Sequence, residues 1–407
     1  MLTFFVIFAP TDTDHHLYHG QYISMKKIVI ASDSFKGSLS SAEVAEAASE
    51  GIRRIYPSCD IICLTMGDGG EGTCEAIAGS MLCRWISTTV KDPIGRDHTA
   101  KYALCSDGEG LTAVIEMAEA SGITLLTRDE LNPLLASTFG TGEMIMDAFR
   151  RGCRRFIIGL GGSATNDGGT GMLEALGFRF LDNAGREIIE CRGDRLSDIA
   201  SIDASCVPEA LLSSSFTAAC DVETPFYGEH GATKVFAPQK GASDSEIEFL
   251  EKGMRSFASI VSNKYGIDLG EIEGSGAAGG TGGALFAFLN GRLRKGADMV
   301  LDTVRFDEII ENADLVITGE GRIDRQTFSG KLPARVLHRA TRMGVPVIAI
   351  GGIVELSEKE ISVSGFKGIL PIQPRPSNPE ELAIAMNSTT TARNISKTIS
   401  SALTVFP

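Results

Sequence analysis

From Lys26 onward, short apolar runs alternate with amphipathic stretches, and glycine-rich segments mark the joins. "KKIVIAS" carries an unbroken apolar centre, the pattern of a parallel strand buried on both faces. Behind the segment "DSFKGSLS", Ser40 and Glu43 stand at capping-box spacing, and Val44, Ala48, Ile52 and Ile55 recur on one helical face. "DIICLTM" predicts a second strand, "GDGGEG" its loop, and "TCEAIAGSM" a helix. The centre of the chain has a different pattern. "RWISTTV", "TAKYALC" and "LTAVIEM" are short strand signals separated by the turns "KDPIGRD" and "SDGEG", which suits antiparallel hairpins. "RRFIIGL" predicts a further strand running into "GLGGSATNDGGTG", and "GSGAAGGTGGA" opens the helix "LFAFLNGRL". Strand–loop–helix order then returns: "ADLVITGEGRIDRQTFSGK" reads as strand then loop, "PARVLHRATRMG" as a helix, and "VPVIAIGG" as a strand ending in Gly351 and Gly352. "SNPEELAIAM" predicts a last helix, with Asn378 as N-cap and Pro379 at its first position.

The outer thirds therefore share one grammar and the middle has another. The predicted fold is α/β: a doubly wound parallel-sheet domain over residues 25–82 and 286–407, with a second, mixed α/β domain inserted at 83–285. Ligands of such sheets bind outside the carboxyl ends of the strands, so the cleft between the domains is the expected site. Residues 1–24 lack periodicity and are expected to be a disordered extension, as from an upstream start codon. Their apolar run, Leu2–Ala9, is too short to span a bilayer, and no Lys or Arg precedes Lys26 as a signal peptide would need. His15, His16 and His19 lie in this tail and are read as part of it rather than as metal ligands.

Charge narrows the partners. The 407 residues carry a formal net charge of −14, with a pI near 5.0, which argues against nucleic acid and anionic membrane as partners. Nine cysteines, odd in number and without a C-x-x-C pair, suit free thiols in a reducing cytoplasm better than disulfides or structural zinc. A cytoplasmic enzyme is the expectation, with its oligomeric state, homo-oligomers included, left open.

The loop at 159–171 has so few side chains that its backbone N–H groups can turn toward an anion. Gly159, Gly161 and Ala164 satisfy G-x-G-x-x-A, with Asp182 about 20 residues downstream as in a dinucleotide fingerprint. In that fingerprint the helix starts at the glycines, whereas here "TNDGGTG" intrudes, and paired glycines would destabilise a first turn by about 1 kcal/mol each. No G-x-x-x-x-G-K-[ST] and no G-x-S-x-G occurs, and outside the tail there are only His98, His230 and His338. Walker-type NTPase, serine hydrolase and histidine–metal chemistry are thereby disfavoured. What the strand-end loops do carry is carboxylates beside flexible donors: Asp68 and Glu71; Ser163, Thr165, Asn166 and Asp167; Asp221 and Glu223; Glu320, Arg322, Asp324 and Lys331. Any one Asp-Gly pair is an ordinary turn signal, and Lys36 alone an ordinary surface lysine. Several independent loops sharing this mixture is what phosphoryl transfer needs and turn propensity does not.

"DSFKGSLS", "GDGGEGT", "GLGGSATNDGGTGMLEALG", "VFAPQKGAS", "GSGAAGGTGGAL" and "ITGEGRIDRQTFSGKLP" together resemble the bacterial glycerate kinases that phosphorylate D-glycerate with ATP. The resemblance runs from about Lys26 to the C-terminus. It implies a flavodoxin-like domain with an inserted α/β domain, ATP and Mg²⁺ as cofactors, and transfer to the 2-hydroxyl giving 2-phosphoglycerate. On that basis Gly161, Gly162, Ser163 and Thr165 are phosphate-binding candidates, and Lys36 is a further phosphate or substrate cation. Asp68 and Asp167 are metal or base candidates, with Asp221 and Glu320 behind them. Arg322 and Lys331 would neutralise the substrate carboxylate or the moving phosphoryl group. The family's usual Asn-Pro after "CDV" appears here as Thr224-Pro225. A nucleotide-cofactor oxidoreductase of a small hydroxy acid and a non-catalytic metabolite-binding regulator are the alternative readings.

Overall fold

The computed structural model describes residues 25–405, apart from 68–75, 79–80, 107, 109, 375–377, 379–380 and 382–385. Asp68, Glu71, Cys74, the tail and most of the helix expected after Asn378 thus lie outside the described residues, although the Asn378 side chain does accept from the Glu381 N–H, as an N-cap would.

The chain enters with strand β1 (Lys27–Ser32), helix α1 (Ser41–Ile55) and strand β2 (Asp60–Thr65). It continues through β3 (Leu82–Lys91), β4 (Asp97–Ser106), β5 (Leu111–Glu116), α2 (Phe139–Arg150), β6 (Arg155–Gly159) and α3 (Thr170–Ala175). Next come β7 (Ser215–Ala219), α4 (Asp244–Tyr265), α5 (Ala277–Leu289) and β8 (Arg292–Arg294). The last stretch holds β9 (Leu315–Ile323), α6 (Leu332–Arg342), β10 (Val347–Val354), β11 (Gly368–Pro371) and α7 (Ser388–Leu403). Two compact units result: one is the chain up to Asp68 with Ala297–Pro407, the other Gly69–Gly296.

In the first unit the strand order is β11-β10-β9-β1-β2, parallel throughout. Counted within the unit this is 2-1-3-4-5, the flavodoxin-like doubly wound order, whose direction reverses between β1 and β9. Ile28 and Ile30 of β1 join Ile317, Ile348 and Ile350 in the core under α1 and α7. The capping box at Ser40 and Glu43 is formed, and Val44, Ala48 and Ile52 are buried on the helix face expected of them. Helix α7 lies beyond the last helix expected from the sequence. Its buried positions, Ile395, Ile399, Ala402 and Leu403, are diluted by serines and threonines that mask the helical period.

The main sheet of the second unit is mixed, in the order β8-β7-β6-β5-β4-β3, with β3–β4 and β4–β5 antiparallel. Arg179–Leu181, Glu187–Ile188 and Ser201–Asp203, between β6 and β7 in the chain, form a small antiparallel sheet. Phe156 and Phe216 stack across β6 and β7 at 4.6 Å within its core. Its end falls later than 286: β8 pairs with β7, so α5 and β8 both belong here and the return to the first unit comes at Ala297. Two of the cysteines expected as free thiols are in fact bonded to each other. Cys83 and Cys105 are directly opposed on β3 and β4, with Cα atoms 4.0 Å apart, and form a disulfide. Free thiols remain at Cys59, Cys63, Cys153, Cys191, Cys206 and Cys220.

Candidate functional site

In the first unit, the reversal point of the sheet opens into a cavity of about 310 Å³ lined by Asp33, Lys36, Glu320, Arg322 and Lys331, among others. It sits where doubly wound sheets place ligands. Lys36 is exposed at the tip of a tight loop that Phe35 and Leu39 close with reciprocal backbone hydrogen bonds. Glu320 and Arg322 were expected on a loop; they stand instead on β9, which continues through its glycines by pairing Glu320 with Gly351 and Arg322 with Ile353. Two residues apart on a strand, they project from the same face, and the strand holds them more rigidly than a loop would.

Glu320 is 7% exposed. Its Oε1 accepts from Thr327 Oγ1 at 2.6 Å, and its Oε2 lies 3.3 Å from Lys331 Nζ. Thr327 is fixed in turn by the Asp324 N–H, at 3.0 Å. Burial raises the Glu320 carboxyl above its ordinary range, against the opposing pull of Thr327 and Lys331. Arg322, by contrast, is mostly exposed, with Glu355 on one guanidinium nitrogen and Asp324 at 3.4 Å from Nε.

In the second unit the glycine-rich loop leaves β6 at its carboxyl end. Gly161 and Gly162 are at least partly exposed, and among the described residues no acceptor engages their N–H groups. Gly162 has φ +70°, and a Cβ there would meet the Cβ of Ala118 at 3.3 Å. Successive open N–H groups at such a turn form an anion-binding concavity. Gly162→Val is accordingly expected to abolish turnover: a β-branched residue is strained at positive φ and closes the approach of an anion. Steady-state kinetics check this, with circular dichroism reporting whether the strain stays local.

The rest of the loop is buried. Asp167, expected as a metal ligand or base, is fully buried, and its carboxylate accepts from Thr138 N and Oγ1, Gly169 N and Gly171 N at 2.7–3.3 Å. It braces the loop to the starts of α2 and α3, and burial raises its carboxyl. Thr165 is likewise buried, and among the described residues neither its Oγ1 nor Asn166 Oδ1 has a hydrogen-bond partner. Of the phosphate ligands expected on this loop, Gly161 and Gly162 are open to solvent, while Ser163 and Thr165 are buried.

One residue at this loop was not singled out from the sequence. Lys240 is buried, and its Nζ donates to Ser163 Oγ at 2.9 Å and Thr165 O at 2.6 Å. Burial pushes its ammonium down to about 7, with the charge of Asp167 working the other way. The signal was its place in "VFAPQKGAS", but nothing local marks that lysine as internal.

The glycines of α5 serve packing. A Cβ on Gly279 would lie 2.1 Å from Thr165 O, so the two loops touch backbone to backbone, joined by Gly168 N to Gly279 O at 2.9 Å. Helix α3 begins only at Thr170, well past Gly162, which removes the helix that a dinucleotide fingerprint needs at its glycines. Asp221 is exposed, and its Oδ1 accepts from Gly296 N at 2.9 Å. At the Thr224 departure the contact is made by the main chain, whose carbonyl accepts from Gly276 N. No described helix is long and apolar enough to cross a membrane.

The sequence profile of the Glycerate kinase family matches residues 28–405. The chain is 44% identical to a glycerate kinase of Bacillus subtilis (strain 168) over 383 residues, covering 93% of this chain and 99% of that one. It is 42% identical to the glycerate 2-kinase of Escherichia coli (strain K12) over 326 residues, 80% of this chain and 85% of the relative. A crystal structure described as that of a glycerate kinase 2 from Salmonella typhimurium LT2 superposes with a TM-score of 0.80 at 40% identity, covering 94% of this chain and all of that one.

Proposed function

The chain belongs to the glycerate kinase family, and from that premise we propose that it transfers the γ-phosphoryl group of ATP to the 2-hydroxyl of D-glycerate. The observation that carries this reading is the first-unit cavity, where a buried carboxylate is ringed by Lys36, Arg322 and Lys331. Such a site suits a small anionic alcohol: cations meet its carboxylate and a base meets its hydroxyl. In the second unit, the open N–H groups of Gly161 and Gly162 suit the donor's phosphates. The name of the Escherichia coli relative supports the 2-position.

Glu320 takes the hydroxyl proton as the hydroxyl oxygen forms its bond to the γ-phosphorus, and the bond from that phosphorus to the β-phosphate oxygen breaks to release ADP. Burial that raises Glu320 brings its basicity nearer to working pH, where general bases act best. Mg²⁺, when bound, offsets charge on the phosphates. Such an ion is commonly held by one or two carboxylates together with phosphate oxygens, so it would need no all-protein cage here. Among the described residues no group of three His, Cys, Asp or Glu forms such a cage. Asp33, the acidic side chain that lines the cavity besides Glu320, would hold such an ion and leave Glu320 to take the proton.

Phosphorus NMR of the product from ATP, Mg²⁺ and D-glycerate tests the reading. Attachment at C2 couples the phosphorus to one proton and gives a doublet. A triplet would place the phosphate on the 3-hydroxyl, and no product without Mg²⁺ is expected.

Arg322→Lys keeps the charge but loses the planar fork. A charge-assisted hydrogen bond contributes about 1.5–3 kcal/mol, so kcat/KM for glycerate is expected to fall about ten- to a hundredfold. A rise in KM would assign Arg322 to the bound acid; a fall in kcat would assign it to the moving phosphoryl group.

A further inference from the structure

The second unit holds another cavity, of about 470 Å³, that the reading above leaves unused. Strands β3 and β4 are antiparallel, as are β4 and β5, while β5 and β6 are parallel. The turn after β3 therefore opens on the same sheet edge as the glycine-rich loop after β6. Ile94 of that turn lines the cavity together with Leu135, Phe139 and Ile189. Three of these are apolar side chains left open to solvent: Ile189 is 69% exposed, Leu135 44% and Ile94 37%. Apolar surface gathered at the rim of a cavity in this way marks a binding site.

The charged groups of the lining have partners: Asp92 pairs with Arg96 at 2.5 Å, and the exposed Glu190 lies 3.7 Å from Arg192. Lys91 pairs with Asp97 at 2.7 Å, and Arg192 with Asp194 at 3.0 Å. Glu174 accepts from the N–H groups of Glu190 and Cys191, at 3.0 and 2.7 Å. A ligand part suited to the patch of Ile94, Leu135 and Ile189 is thus uncharged and apolar on the face it turns to them, and the cavity has room for more than a three-carbon acid. The cavity is also tied to the glycine-rich loop. Thr138, held by Asp167 at 2.7 and 2.8 Å, lies between the lining residues Ser137 and Phe139.

We propose that this cavity binds the nucleoside of the phosphoryl donor, with its purine ring against Ile94, Leu135 and Ile189 and its phosphates directed to Gly161 and Gly162. The proposal rests on ATP being the donor. It makes the second unit a nucleotide-binding module in its own right.

Calorimetric titration of the full chain with ADP, and separately with inorganic tripolyphosphate, tests the assignment. In the double variant Leu135→Ser/Ile189→Ser, whose sites are solvent-exposed and so compatible with folding, the Kd for ADP is expected to rise at least tenfold. Tripolyphosphate, which has no nucleoside, is expected to bind as it does to the unaltered chain, and Leu135→Met is expected to keep ADP affinity. Unchanged ADP affinity in the double variant, in a protein that still makes phosphoglycerate from ATP, would overturn the nucleoside site alone. An equal loss of ADP and tripolyphosphate would do the same, by showing that the loop rather than the cavity was disturbed. An unaltered chain that neither binds ADP nor consumes ATP would overturn the donor reading and this site with it.

Discussion

Glu320→Gln is expected to lower kcat by about a hundred- to ten-thousandfold, the usual contribution of a positioned general base. Glutamine keeps the shape and can still accept from Thr327 Oγ1, so the change removes basicity with little loss of packing. The KM for glycerate is expected to stay within severalfold, because Lys36, Arg322 and Lys331 are untouched. The pH profile carries a second signature. The base acts when deprotonated, so kcat climbs with pH as Glu320 loses its proton. Because burial raises that carboxyl, the climb is expected above the ordinary carboxylate range. The residual rate of Glu320→Gln is expected to be flat there. An ADP-release assay from pH 4 to 9, on protein shown to be folded by its melting curve, checks both points. A kcat within threefold of the unaltered enzyme would remove the base from Glu320.

Lys240→Met is expected to reduce kcat/KM for ATP by roughly a hundredfold, the cost of misplacing reacting groups by about 1 Å. Methionine fills much of the same volume, but Ser163 Oγ and Thr165 O lose their donor. The effect on stability depends on pH. The unfolded lysine holds its proton to about 10.5, whereas the folded one releases it near 7. Between these values the unfolded chain binds more protons, so the Lys240 contribution to stability rises with pH, by up to about 1.4 kcal/mol per pH unit. Below 7 the folded state carries the whole cost of burying the cation. Urea unfolding from pH 6 to 10 is expected to show a more positive slope for the unaltered chain than for Lys240→Met. Equal slopes would mean that Lys240 keeps its proton when folded.

What the sequence made legible follows from what is local. The apolar centre of β1, the capping box at Ser40 and the glycines before α3 act within a few residues of themselves, and each is where the pattern puts it. The return of parallel grammar after the insertion likewise foretold a doubly wound parallel sheet, and the family resemblance implied its flavodoxin-like order. Direction and distance are what the local pattern does not carry. Asp167 has the chemistry of a metal ligand, and only the fold shows that it points inward to Thr138. Lys240 reaches Ser163 across 77 residues of chain. Cys83 and Cys105 become partners only through the register of β3 on β4. Glu320 and Arg322 sit among glycines that suggest a loop, while β10 supplies the pairing that extends the strand.

The interrupted first unit sets an order of events during synthesis. Strands β1 and β2 leave the ribosome first, but their sheet is completed by β9, β10 and β11, and α1 is covered by α7 near the very end of the chain. Between them runs the uninterrupted stretch Gly69–Gly296. At about 5–20 residues per second, translating it occupies on the order of ten to fifty seconds, and domains generally fold as units while this proceeds. The inserted unit can therefore reach its native state while β1 still has an open edge and an apolar face. A nascent chain arrested just beyond Gly296 would carry a finished second unit and an unsatisfied first one, the state in which a chaperone or an aggregating neighbour would find it.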